Sequence, residues 1–312
     1  MRNNYRSDAE RLDRAISRFE ATIGQLPGLA SDAHREVLIE QIIDSERRVA
    51  YTDQLLSRVL DPVSADPRST AFDPLRAAIL HARSGSLDEA AWLVFLFVHF
   101  GKHRETGWRY IRYVYGAFGA EPHEWWTWER TAADPTQFRF WLDEHQDDFH
   151  TEPGRHGFGN HHKYGSLKAW TDNGTGAAVQ SYVDWVLSAG GDHQTRFDSL
   201  MQSTPEESFD AIYVALDSVV QFGRIARFDY LTMLSKLALI DIFPPHSYLI
   251  GATGPLRGAQ LLLRGEVGKG SARELQAELS ELGTIAGIRP DVLEDAVCNW
   301  QKYPARYVRF SA

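Results

Sequence analysis

An all-α fold is what this sequence predicts, and three observations predict it. Apolar residues recur at steps of three and four along most of the chain. Helix-start signals, in which a Ser, Thr or Asp is followed by Pro or Glu, stand ahead of several apolar runs. No row of alternating apolar and polar residues reads as a strand. The one Asn-Gly pair, Asn173-Gly174, lacks the apolar flanks of a hairpin and reads as a loop.

The elements follow in order. Residues 7–26 and 32–60 carry helical periodicity. Ser86-Leu87-Asp88-Glu89 has the pattern of a capping box ahead of AAWLVFLFVHF. Asp134-Pro135 opens another helix with Pro at its first position. Thr204-Pro205-Glu206-Glu207 does the same and adds a reciprocal Glu. Later helices are expected over 225–239, 255–264, 272–286 and 291–302. The least regular stretch, about 148–176, is rich in Gly, His and Asn. The expected organisation is an N-terminal helical region (1–150), a Gly/His-rich functional loop (151–176) and a C-terminal helical region (177–312), together one compact two-lobed unit.

Bulk composition narrows the function. A chain of 312 residues with 43% hydrophobic content can bury a large core. Its net charge of −9 argues against a dedicated coater of nucleic acid. Cations do gather locally: residues 99–112 hold Lys102, Arg104, Arg109 and Arg112 against Glu105 alone. A solvated helix face explains such a run equally well. The single cysteine, Cys298, excludes an internal disulfide and a multi-cysteine metal site. The start, MRNNYRSDAERLDRA, has no apolar run of a secretory signal. The longest apolar run, AWLVFLFV (91–98), is far short of the roughly 20 residues that span a bilayer. A cytoplasmic protein with no membrane partner is expected.

Several constellations carry chemistry, each with a plainer alternative. In FGNHHKYGSLKAW (158–170), Asn160 offers an amide donor and acceptor suited to a base edge, and His161, His162 and Lys163, beside Tyr164, could act as acid, base or phosphate ligand. The plainer reading is a loop satisfying its own backbone. His99 and His103 stand four apart as zinc ligands do, but Phe100 stands where a metalloprotease needs Glu, and Gly101 suggests that the helix ends there. No metal is expected. Arg224 and Arg227 share a helical face and could contact phosphate or base, or form an ion pair that fixes two helices. Thr253-Gly254-Pro255-Leu256-Arg257-Gly258 opens a helix whose unbonded N–H groups suit an anion, with Gly258 permitting close packing. It lacks the Gly-Lys-Ser/Thr ending of a nucleotide loop, so no ATP site is indicated. In Val292 to Trp300, residues Val292, Ala296 and Trp300 step by four toward the core. Glu294 and Asp295 lie on other faces, where a half-buried carboxylate could orient water or stabilise a sugar cation. The alternative is acids favoured by the helix dipole.

Taken together, DEAAWLVFLFVHFGKH, EWWTWER, FGNHHKYGSL, FGRIARFDYLTM, ATGPLRGAQLLL and LEDAVCNWQKYP resemble the alpha-glutamyl/putrescinyl thymine pyrophosphorylase-like family, in its stand-alone bacterial clade. The match runs in order from Asp88 to Pro304. The resemblance implies a relation to the helix-hairpin-helix DNA glycosylases: an all-α helix-hairpin-helix core with an N-terminal helical extension. It implies that ATGPLRGA stands for the phosphate-gripping hairpin, and Glu294 or Asp295 for the acid at the sugar, with Asp291 competing. The acids stand further along than the usual spacing of about 20 residues, and no hairpin lysine of a lyase-type enzyme is present. The implied activity is that of a monofunctional DNA N-glycosylase. It would excise a hypermodified pyrimidine, for example a glucosylated hydroxymethyl-pyrimidine, from double-stranded phage DNA as antiviral defence, with no cofactor. Two alternatives stand: transfer chemistry that displaces pyrophosphate from a modified base, and non-catalytic binding of modified DNA. EWWTWER could edge a polar pocket for a sugar, or could be core.

Overall fold

The computed structural model describes residues 3–151, 157–159 and 165–309. Among them, every regular element is helical, and the one β-type contact is an isolated bridge between His103 and Gly107. The helices form where capping chemistry and apolar spacing agree. α1 (Asn3–Thr22) buries Leu12, Ile16 and Phe19, and α2 (Asp32–Ser57) buries Leu38 and Ile42, at helical spacing. α3 (Pro74–Arg83) starts on Asp73, which accepts the Leu75 and Arg76 N–H groups at 3.1 and 3.0 Å. α4 (Leu87–Phe100) is apolar on all sides and almost wholly buried, the mark of a central helix. α5 (Arg109–Tyr115), α6 (Trp128–Ala133) and α7 (Pro135–Glu144) follow, α7 capped by Asp134 on the Gln137 N–H at 2.9 Å. α8 (Thr175–Leu187), α9 (His193–Asp198) and α10 (Pro205–Ala215) come next, α10 capped by Thr204 on the Glu207 N–H at 3.1 Å. α11 (Arg224–Lys236), α12 (Gly254–Arg264), α13 (Ala272–Ala286) and α14 (Pro290–Trp300) complete the series.

Two capping details differ from expectation. Ser86 is the N-cap residue of α4 but makes no side-chain cap bond. Glu89, the residue that would complete the box, turns inward and accepts the Trp128 N–H at 2.9 Å. A reciprocal capping box does form at α13, between Ser271 and Glu274.

The chain divides into two compact units, cut near residues 53 and 243. One unit gathers Met1–Asp53 with Pro244–Ser311. Its core interleaves both ends of the sequence: Leu12, Ile16, Phe19, Leu38 and Ile42 meet Leu262, Leu279, Val292, Ala296 and Trp300. Trp300 donates its indole N–H to the His34 carbonyl at 3.0 Å, tying α14 to the start of α2. The other unit, Gln54–Phe243, is built round α4. Trp92, Phe95 and Phe100 are fully buried, and the Phe95 ring stacks on Tyr182 of α8 at 4.0 Å.

Candidate functional site

In the first unit, α14 carries the expected acids beside the start of α12. Gly258 is buried where α12 crosses α14, and a Cβ there would collide with the Val297 carbonyl oxygen. One turn earlier, a Cβ on Gly254 would lie 2.6 Å from Cys298 Sγ. The absence of both Cβ atoms lets the start of α12 rest directly on α14. Thr253 is the N-cap residue of α12 but gives no side-chain cap bond, and both Thr253 and Arg257 are exposed.

Asp295 lies three residues before Cys298 on α14 and is held from three sides. Its Oδ2 accepts from Arg48 and from the Ser45 hydroxyl, both on α2, and its Oδ1 accepts from Asn299 Nδ2 at 2.8 Å. Arg48 also pairs with Asp44 at 2.9 Å, and Lys302 donates to Asn299 Oδ1 at 2.9 Å. Burial opposes the charge on Arg48, but Asp295 and Asp44 outweigh it and raise the guanidinium above its ordinary value. Glu294 is half-buried. Asp291 is buried and bonded to Arg289 Nε at 2.9 Å. Val292, Ala296 and Trp300 are buried, as their spacing predicted.

The second unit holds Arg224 and Arg227, at the start of α11. Arg227 pairs with Asp217 at 2.8 Å, and its guanidinium lies 4.5 Å from the Tyr213 ring centroid. Its side chain keeps only 15% exposure. The pair joins α11 to the turn that follows α10, with Asp217 largely exposed. The Arg224 guanidinium lies over the Phe228 ring at 5.0 Å.

The same unit contains a polar network that sequence reasoning missed. Asp88 Oδ1 accepts the His193 backbone N–H at 2.9 Å and His193 Nδ1 at 2.6 Å. His193 Nε2 meets the Tyr182 hydroxyl at 2.7 Å, and that hydroxyl meets the Tyr230 hydroxyl at 2.7 Å. A carboxylate only accepts, so Nδ1 carries the proton of the neutral ring, Nε2 accepts from Tyr182, and Tyr182 accepts from Tyr230. Burial pushes the His193 pKa down against the pull of Asp88. For Asp88, burial alone would raise the pKa, but the His193 bonds prevail and hold it below the ordinary range. His193, Tyr182 and Tyr230 are fully buried, whereas the Asp88 side chain keeps 35% exposure. The chain neighbours Leu87 and Gln194 line a cleft of about 200 Å³. The residues are separated by up to 142 positions, and the only sequence signal was the Asp88-Glu89 pair, whose helix-start pattern concealed two inward-turned acids.

The loop residues Asn160, His161, His162, Lys163 and Tyr164 lie outside the described residues. Their flanks are anchored. Gly159 donates its N–H to the Phe100 carbonyl at 2.6 Å, and Phe158 stacks on Phe100 at 5.3 Å. His99 ends α4 buried, its Nε2 2.9 Å from Thr175 Oγ1, while His103 Nδ1 accepts the Thr106 N–H at 3.2 Å. Both histidines are satisfied at a helix end, as expected. Among the described residues, no group of three His, Cys, Asp or Glu side chains could share a metal ion. In EWWTWER, Trp126 and Trp128 are core residues, packed round Phe138 and His193, so they edge no open pocket.

The family model for alpha-glutamyl/putrescinyl thymine pyrophosphorylase clade 3 matches residues 33–312. The chain belongs to this family. The resemblance drawn from the six motifs is therefore correct as to family, and the match reaches further toward the N-terminus than those motifs. No curated protein and no solved structure matches the chain. The clade 3 pyrophosphorylase-like family is associated with hypermodified thymine in DNA, which sets modified-base processing as the general field of activity. Among the described residues, no helix is long and apolar enough to cross a membrane.

Proposed function

We propose that this protein is a monofunctional DNA N-glycosylase that removes a hypermodified pyrimidine from phage DNA and leaves an abasic site. The observation that supports the reading is the close approach of the α12 backbone at Gly254 to Cys298, where a Cβ would not fit. It brings an N-terminal helix turn, suited to a phosphate, within one turn of an acid whose orientation is fixed by Arg48, Ser45 and Asn299. A phosphate grip beside a fixed carboxylate is what excision needs. The relation to helix-hairpin-helix glycosylases is part of this proposal.

Roles follow from chemistry. Thr253, Gly254 and Arg257 form the phosphate-binding turn, with Thr253 and Arg257 reaching outward, while Gly258, buried against α14, only lets the turn approach that helix. Arg224 is a further phosphate contact, whereas Arg227 is engaged by Asp217 and supports its helix. Asn160, His161, His162, Lys163 and Tyr164 read the flipped base or its substituent. As the N-glycosidic bond breaks, its electron pair leaves with the base, positive charge develops on the sugar, and water supplies the oxygen that bonds to C1′. The leaving base takes up a proton. Asp295 has both oxygens engaged, so it acts as a fixed negative charge facing the developing cation. Glu294 orients the water. Asp291 is tied to Arg289 inside the unit and takes no part.

The test is alkali-revealed strand breakage of DNA carrying glucosylated hydroxymethyl-pyrimidines beside unmodified DNA. Breaks confined to the modified DNA support excision, and Glu294→Gln should then lower the rate by about 10²–10⁴-fold. Intact DNA with pyrophosphate released from a pyrophosphorylated hydroxymethyl-pyrimidine would replace this reading with the family's namesake chemistry. Tight binding that survives both Glu294→Gln and Asp295→Asn, without product, would make the protein a binder.

A further inference from the structure

We propose that the turn at residues 101–108 is a DNA-backbone clamp, in which Lys102 and Arg104 grip phosphates beside the base-reading segment. The proposal rests on DNA as the substrate.

The turn begins where α4 ends. Gly101 takes φ 63°, ψ 171°, a conformation that glycine permits, and turns the chain out of the helix. His103 and Gly107 then exchange backbone hydrogen bonds of 2.9 Å in both directions, closing a tip of Arg104, Glu105 and Thr106. His103 Nδ1 stiffens the tip from within, accepting the Thr106 hydroxyl at 3.0 Å and its N–H at 3.2 Å. Gly107, at φ 61°, completes the reversal. Lys102 and Arg104 project from this frame and are exposed, the Lys102 ammonium 5.5 Å from the Trp108 ring centroid.

Two features separate this turn from an ordinary solvated face. The first is charge. In a chain of net charge −9, residues 99–112 carry four cations and one acid. The second is what lies against it. A Cβ on Gly159 would stand 2.7 Å from both Gly101 C and Lys102 N, so the segment 157–159 rests directly on the backbone of the turn. Phe158 locks this contact by packing on Phe100 at 5.3 Å and Tyr110 at 5.8 Å. Asn160, the first residue of the proposed base-reading set, follows Gly159 in the chain. Cations on a stiff support next to that set suit phosphates, because backbone contacts fix register while bases are read elsewhere.

The test is binding of duplex oligonucleotides, unmodified and glucosylated, between 50 and 200 mM salt. Lys102→Gln/Arg104→Gln should weaken binding of both duplexes equally, by roughly tenfold or more, and reduce the slope of log K against log salt by about 2. Lys102→Arg should retain wild-type binding, and an unchanged melting temperature of the double variant would show that the fold is intact. Unaltered affinity and slope in the double variant would overturn the clamp while leaving the glycosylase reading in place. A loss confined to glucosylated DNA would also overturn it, since these residues would then read the modification. A wild-type protein without measurable affinity for either duplex would remove the substrate reading and the clamp together.

Discussion

Two residues decide what their neighbours can do. Asp295 bridges α2 and α14 through Arg48, Ser45 and Asn299, and it keeps about a third of its exposure, as Arg48 does. Its loss should therefore cost less than that of a dry ion pair: Asp295→Asn is expected to lower unfolding free energy by about 1–2 kcal/mol, measured by urea denaturation. A drop in activity far beyond that, at a temperature where the variant is folded, would separate a role at the sugar from simple support. His193 gives a pH prediction. Its folded pKa lies below the ordinary value, so the unfolded chain binds the proton first as pH falls. The stability this neutral ring contributes is fully present above about pH 6.5 and declines below it. Asp88, also held low, contributes stability that is lost only at much more acidic pH. Glu89 works the other way: burial raises its pKa, so protonation on acidification relieves the fold. The His193 effect is thus isolated by difference. The melting temperature of His193→Gln should fall less steeply than wild type between pH 7 and 5, and parallel curves would contradict the assignment.

At the scale of elements, glycine sets how closely helices approach. Ala at position 258 would improve helix propensity by up to about 1 kcal/mol in an open helix. Here its Cβ would collide with the Val297 carbonyl, which belongs to α14 backbone and cannot swing aside. Gly258→Ala should therefore destabilise by about 1–3 kcal/mol, and a stabilised variant would show that α12 and α14 are not so close. The sequence made much of this scale legible. The ends of α13 were read without error, and Asp134 and Thr204 cap α7 and α10 because local side-chain-to-backbone bonds need no tertiary partner. The pattern at Ser86 misled for the opposite reason. Asp88 and Glu89 meet partners 105 and 39 residues away, and those long-range bonds outcompete the local cap. The same blindness hid His193, Tyr182 and Tyr230, whose spacing follows no motif. It also left Arg227 ambiguous until Asp217 was seen beside it.

At the scale of the whole molecule, the two units differ in how the chain makes them. Gln54–Phe243 is one continuous segment whose core rests on α4 and the rings of Trp92, Phe95, Tyr182 and Tyr230. The other unit draws its core from opposite ends: Leu12, Ile16, Phe19, Leu38 and Ile42 supply one side, and Leu262, Leu279, Leu293, Val297 and Trp300 the other. Helical periodicity reports which face of a helix is apolar, not which distant helix will cover it, so this pairing of the two chain ends was not legible in the sequence. The consequence is measurable. A peptide of residues 244–309 keeps the contacts among α12, α13 and α14 but lacks the apolar faces of α1 and α2 that complete their core, and short helices in water are marginal without full tertiary packing. It should give weak helical circular dichroism. Adding residues 1–57, which end where α2 ends, should restore helicity beyond the sum of the two spectra, with a saturable midpoint. The restored complex should also protect the Trp300 indole N–H from exchange, because its acceptor is the carbonyl of His34 on the added fragment. Strong helicity in 244–309 alone, unchanged by 1–57, would mean that α14 and its neighbour α12 fold without α1 and α2. Arg48 and Ser45 would then orient Asp295 only after that fold exists, and would not be part of what builds it.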